Sequence, residues 1–143
     1  MYCIFAEASM DILLIDDDSI GVFLTEYLLK REGFATSIAA YTSAHEALEF
    51  LQKAEPASLP RVIFLDLNMP ELSGWEFLEA QRPRQAELLG RISIYILTSS
   101  LARSDSDRIH EFPLVAGLMH KPLDAPQIQS VRAQVEMADR TAG

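Results

Sequence analysis

Residues 61–75 read RVIFLDLNMPELSGW. Val62 through Leu65 is a run of β-formers too short for a helix, and it predicts a strand buried on both faces, as in a parallel sheet. The run ends on Asp66 and breaks at once into a turn. Pro70 and Gly74 close off the strand, and Ser73 with Glu76 has the S-x-x-E spacing of a capping box that starts a helix. In open α/β sheets the carboxyl edge of the strands is where ligands bind. Asp66 is therefore expected to be an acidic group that is accessible and rigidly mounted.

Outward from this stretch the chain alternates strand and helix. Asp11–Ile15 is a mostly apolar run leading into Asp16, Asp17 and Asp18. Ile20, Phe23, Leu24, Tyr27 and Leu28 follow i, i+3, i+4, i+7, i+8 spacing, which predicts an amphipathic helix burying that stripe and stopping at Gly33 as its C′ residue. A strand is expected over 34–39. Ser43 and Glu46 form a second capping box, ahead of a helix with Ala44, Ala47, Leu48 and Leu51 inward. The 56–60 segment, bounded by prolines, ends that helix. A helix carrying Trp75 and Leu78 follows the central strand, then a loop around Pro83. The fourth strand is expected over 92–97, leading into Thr98, Ser99 and Ser100. A short helix capped by Ser104 with Asp107 follows, limited by Pro113. The fifth strand, 114–119, runs into His120, Lys121 and Pro122. Asp124, with Pro126 and Gln127 in the first turn, starts a last helix striped by Ile128, Val131 and Val135.

Five strand signals each followed by a helix signal predict a doubly wound, flavodoxin-like α/β fold: a five-stranded parallel sheet with five helices on its two faces. The order expected for such a sheet is 2-1-3-4-5. One domain over 11–138 is expected, with an N-terminal extension, 1–10, and a short polar tail, 139–143. A chain of 143 residues that is 49% hydrophobic can bury a core of that size without disulfides. The single cysteine, Cys3, and an N-terminus without a basic start or apolar centre point to a reduced, cytoplasmic protein. No apolar run approaches a membrane span. With 12 basic against 21 acidic residues, net −9, sequence-independent binding to nucleic acid is disfavoured.

The strand ends carry the chemistry. The first ends in Asp16 and Asp17, the third in Asp66, the fourth in Thr98 and the fifth in Lys121. If these strands neighbour one another, the side chains converge on one rim. Carboxylates about 4 Å apart repel by roughly 4 kcal/mol per pair at an effective dielectric near 20, so positive charge must sit among them. Lys121 offsets one charge, and a hard divalent cation held by few carboxylates plus water, as Mg²⁺ is, suits the rest. Metal, lysine, hydroxyl and carboxylate nucleophile together are the parts of a phosphoryl-transfer site, with an acyl phosphate on Asp66 as the covalent product. Other features take structural readings. Asp18 with Ser19 is a helix cap; His45, His110 and His120 lack ligand spacing; Trp75 and the apolar stripes are core, and Cys3 belongs to a frayed terminus.

The motifs LLIDDD, FLDLNMPELSGWEFL, YILTSS and HKPL, in this order and at these element ends, resemble those of response-regulator receiver domains of two-component signalling, over about 11–138. The resemblance implies that Asp66 is the phosphoacceptor and that Asp16, Asp17, Asp66 and the backbone carbonyl of Asn68 hold Mg²⁺. It also implies that Thr98 is the switch hydroxyl, that Lys121 pairs with the phosphate, and that the Lys121–Pro122 bond is cis. The phosphoryl donor would be a phosphohistidine on a sensor histidine kinase or a histidine phosphotransfer protein. Catalysis would be self-directed: transfer to the domain itself and its own dephosphorylation. Receivers commonly carry Tyr or Phe three residues before the lysine, where this chain has Leu118. The 112–122 region is similar to stand-alone receivers, which signal through protein contacts, with a downstream protein target.

Two other classes use similar parts. A phosphorylation-independent pseudo-receiver would keep the fold as an interaction module. A haloacid-dehalogenase-like phosphatase would carry its nucleophile in D-x-D-x-T or D-x-D-x-V on the first strand, where 16–20 reads DDDSI.

Overall fold

A computed structural model describes residues 11–34, 37–55, 58–99 and 103–142. Its strands are β1 (Asp11–Ile15), β2 (Ser37–Tyr41), β3 (Val62–Asp66), β4 (Ser93–Thr98) and β5 (Val115–His120). They form one sheet in the order β2-β1-β3-β4-β5, every pair parallel. The helices are α1 (Ser19–Arg31), α2 (Ala44–Lys53), α3 (Gly74–Ala80), α4 (Gln85–Leu88), α5 (Arg103–Arg108) and α6 (Ala125–Ala142). The expected doubly wound sheet and its order are present, with six α-helices among the described residues rather than five. The extra one comes from the expected loop around Pro83. There a 3₁₀ turn, Arg82–Arg84, with proline in its first turn, leads into the single turn of α4.

Alternation along the strands sorts the core into two layers. Leu13, Ile15, Ile63, Leu65, Ile94 and Ile96 meet Ala47 and Leu51 of α2 and Phe77 and Leu78 of α3. Ile12, Leu14, Phe64, Tyr95 and Leu97 meet Leu29 of α1 and Ile128, Val131 and Val135 of α6. All five residues of β3 are buried, as expected for a strand covered on both faces.

Three boundaries move. β2 starts at Ser37 rather than Phe34, because Gly33 (φ 68) and Phe34 are used to close α1. The Gly33 N–H donates to Lys30 O (3.1 Å) and the Phe34 N–H to Leu29 O (3.1 Å), a Schellman motif with buried Phe34 as its apolar contact. β4 and β5 each lie one residue later than expected, which makes Thr98 the last residue of β4. The cap expected at Ser104 lies inside α5, which begins at Arg103. The caps at Ser43, Ser73 and Asp124 form as expected, Ser73 and Asp124 in reciprocal pairs with Glu76 and Gln127.

The largest departure is the face of α1. Ile20, Phe23, Leu24 and Tyr27, expected in the core, are 57–70% exposed. Inward positions go to Leu29, with Val22 and Leu28 packed beside it. Two phases of apolar residues share this helix, and the Asp18 cap, whose carboxylate accepts from the Ile20 N–H (3.1 Å), starts it in the second. In that phase Gly21 faces the carboxylates of Asp16 and Asp18.

The extension 1–10 and Cys3 lie outside the described residues, and α6 continues to Ala142. No helix among the described residues is long and apolar enough to cross a membrane.

Candidate functional site

The sheet brings its carboxyl ends together at one rim. Asp16 follows β1 directly and its N–H donates to Tyr41 O (3.1 Å), so the β1–β2 ladder continues into the site. Its Oδ1 accepts from the Asp18 N–H at 3.0 Å. Asp66 closes β3, and its Oδ1 accepts from the Asn68 N–H at 3.2 Å. Across the β4–β5 pair the Lys121 N–H donates to Thr98 O at 2.9 Å, just before the cis Lys121–Pro122 bond. This tether aims the lysine back over the rim. Its Nζ lies 2.8 Å from Asp16 Oδ2 and 3.3 Å from Asp66 Oδ2. Asp16 and Asp66 are each only 4% exposed, and Thr98 is fully buried. Asp17 and Asn68 are exposed.

One ammonium bridging two buried carboxylates leaves the cluster net negative. Asp16, Asp17 and Asp66 each offer an oxygen, all within 4.8 Å of one another. Three hard oxygen donors, one carried by a residue open to water, fit a divalent cation that keeps several waters, as Mg²⁺ does. Burial pushes the Asp66 carboxyl up to about 6; the Asn68 N–H and then the Lys121 charge pull the other way, and Asp16 adds to the rise. Burial alone would lower the Lys121 ammonium, but the hydrogen bond and charge of Asp16, and then Asp66, outweigh it and hold the group above its usual range. Lys121 stays charged at neutral pH.

Two glycines set the geometry. A Cβ on Gly74 would stand 2.8 Å from both Asp66 O and Leu67 Cα, and the Gly74 N–H donates to Leu67 O at 3.0 Å. The first turn of α3 is thus laid against the backbone that leaves Asp66, which only a residue without a side chain allows. A Cβ on Gly21 would come within 3.2 Å of Asp18 Oδ2 and 3.5 Å of Asp16 Oδ2. Sequence reasoning placed Gly74 only as a strand breaker and did not single out Gly21. The signal was there, a glycine in the first turn of each of the two helices that follow an acidic strand end.

Beside the acids a groove of about 310 Å³ opens between α1 and the segment after β5, lined by Asp16, Lys121, Ile20, Leu24, Leu97 and Leu123 among others. Ile20 and Leu24 of the exposed α1 stripe form its outer lip. On the opposite layer Trp75 stacks near Phe112 (5.9 Å between rings), with Arg108 over Trp75 (4.4 Å) and Arg82 over Phe112 (4.6 Å). Leu118 is half-buried and packs on that same layer.

Known proteins resemble the chain over most of its length. The family described as the response regulator receiver domain matches residues 12–132. A two-component response regulator from Cytophaga hutchinsonii superposes with a TM-score of 0.79 at 27% identity, covering 90% of this chain and 98% of its own. The probable methanogenesis regulatory protein FilR2 of Methanothrix harundinacea is 29% identical over 92% of this chain and 84% of its own length. Hybrid signal transduction histidine kinase I of Dictyostelium discoideum is 31% identical over 70% of this chain, which corresponds to 6% of that kinase.

Proposed function

The chain belongs to the response regulator receiver domain family, and from that membership we propose that it accepts a phosphoryl group from a phosphohistidine donor onto Asp66 and signals through protein contacts. The observation that carries the proposal is the bridge from Lys121 to both Asp16 and Asp66 at 2.8 and 3.3 Å. An ammonium shared between two carboxylates can follow the charge when one of them is phosphorylated.

In this reading an Asp66 oxygen attacks phosphorus in line, a P–O bond forms as the P–N bond breaks, and the imidazole leaves with the electron pair and takes up a proton from water. Asp66 is the nucleophile, and with its carboxyl near pH 6 it is ionised at neutral pH. Lys121 pairs with an equatorial phosphoryl oxygen. Asp16, Asp17, Asp66 and the Asn68 carbonyl would hold Mg²⁺, which when bound offsets the charge that develops on the phosphoryl oxygens. Thr98 ends β4 one strand from Asp66 and turns its hydroxyl toward the phosphate, so that the added charge of about −1.5 to −2 is read by the segment after β4. The donor, a histidine kinase or histidine phosphotransfer protein, seats its phosphohistidine over the groove and rests on the apolar lip of α1. Such a protein works inside the cytoplasm.

Leu118 favours a second reading, an interaction module that needs no phosphate, because the aromatic ring that commonly couples to the switch hydroxyl is missing. Intact-mass spectrometry after incubation with Mg²⁺ and acetyl phosphate separates the two. One added phosphoryl group, lost in Asp66→Asn and on removing Mg²⁺, is expected, while no mass gain selects the module.

A further inference from the structure

Ile20, Phe23, Leu24 and Tyr27 form one face of α1, each more than half exposed, with no described element packed over them. Aromatic side chains cover about 150–250 Å² each and aliphatic ones somewhat less, so this stripe offers roughly 450 Å² of apolar surface. A two-fold contact would then cover close to 1,000 Å², about the threshold for specific association. A contiguous patch of this size matches the largest that a typical monomer exposes, and such patches are often functional.

The charges flanking the stripe say what fits it. Asp17 and Asp18 stand at its N-terminal end and Lys30 and Arg31 at its C-terminal end, all exposed. We propose that a second copy of this chain covers the face, two copies packing α1 against α1 in antiparallel orientation with Leu24 at the two-fold axis. In that register Asp18 meets Lys30 and Asp17 meets Arg31 of the other copy, each pair equidistant from Leu24. A parallel arrangement would set like charges together at both ends. The helix dipoles also oppose favourably when antiparallel. Lys30 already bridges Glu26 of its own helix (3.0 Å), which leaves Arg31 as the stronger contributor. The contact is self-complementary, as a two-fold interface must be. It needs no phosphate on Asp66, but it shares Asp17 with the proposed metal site and covers the Ile20 and Leu24 lip of the groove, so it competes with a docked donor.

Sedimentation equilibrium from sub-micromolar to high-micromolar protein tests the proposal. A reversible monomer–dimer equilibrium in the micromolar range is expected. Phe23→Asp, at an exposed position, is expected to keep the fold by circular dichroism and to weaken association at least tenfold, as is Lys30→Glu combined with Arg31→Glu. Leu89→Asp, at an exposed apolar residue elsewhere, leaves association unchanged. In a Cys3→Ser background, Leu24→Cys is expected to form a disulfide-linked dimer under mild oxidant, while Glu49→Cys on α2 does not. A protein that stays monomeric throughout overturns the proposal. So does association indifferent to Phe23→Asp, or Leu24→Cys that fails to cross-link.

Discussion

Asp66 is held against its own charge, and that has a measurable consequence. Its carboxyl rises from 3.8 to about 6 on folding, mainly through burial. Between those values the native state binds more protons than the unfolded chain, so this residue makes stability fall as pH rises through the window. The cost of ionised Asp66 at neutral pH is at most about 3 kcal/mol. Asp66→Asn keeps the shape and removes the charge, so it should stabilise the metal-free protein by about 1–3 kcal/mol near neutral pH, with the gain shrinking as pH falls toward about 4. Urea unfolding of both proteins in chelator checks this, and a variant no more stable at neutral pH would remove the argument. Excess Mg²⁺ should erase the difference, since the cation neutralises the same charge. Gly74 makes a second prediction. Gly74→Ala drives a methyl to 2.8 Å from two backbone atoms around Asp66 and Leu67, a clash of about 1–3 kcal/mol. Phosphoryl uptake should slow along with the stability loss, as read by mass gain against time. A variant that loses stability but keeps the wild-type rate would show that α3 does not position Asp66.

At the level of elements, the Trp75, Phe112, Arg82 and Arg108 stack ties α3 to the segment between β4 and β5. That segment follows Thr98 and leads into β5, so a pull at Thr98 loads the stack. Trp75 is the chain's single tryptophan. Its emission should shift when beryllofluoride and Mg²⁺ mimic the acyl phosphate, and Arg108→Ala should remove most of the shift while leaving ligand uptake intact. Unchanged emission in the wild type would place the switch elsewhere. The strands and the residues at their ends were legible in the sequence because an apolar run that stops on an acid or a lysine has a local cause at each end. Asp16, Asp66 and Lys121 meet where the order of those runs puts them. The face of α1 was not legible in the same way. Ile20, Phe23, Leu24 and Tyr27 satisfy helical periodicity as well as Val22, Leu28 and Leu29 do, and only the placement of Gly21 against Asp16 and Asp18 selects between them. The short helix after Pro83 was missed because four residues carry no periodicity at all.

For the whole molecule, net charge and local pairing pull in opposite directions. Two copies each carrying −9 repel over their full width, a long-range term that physiological salt screens beyond about 8 Å. The apolar contact between α1 helices does not weaken with salt, so dimerisation should strengthen as ionic strength rises from low to physiological values. The same contact governs access to Asp66. The groove beside it holds about 310 Å³ and opens past Ile20 and Leu24, room for a small phosphodonor to diffuse in around a second copy but not for a protein helix to lie across the lip. The Leu24→Cys dimer, locked by its disulfide, should therefore take a phosphoryl group from acetyl phosphate within a few-fold of the reduced protein's rate. It should take almost none from a phosphorylated histidine phosphotransfer domain that serves the wild type. Adding a thiol reductant should restore the second transfer. If the locked dimer accepts phosphate from the protein donor as fast as the reduced monomer does, the donor approaches from another side, and α1 is not the shared face.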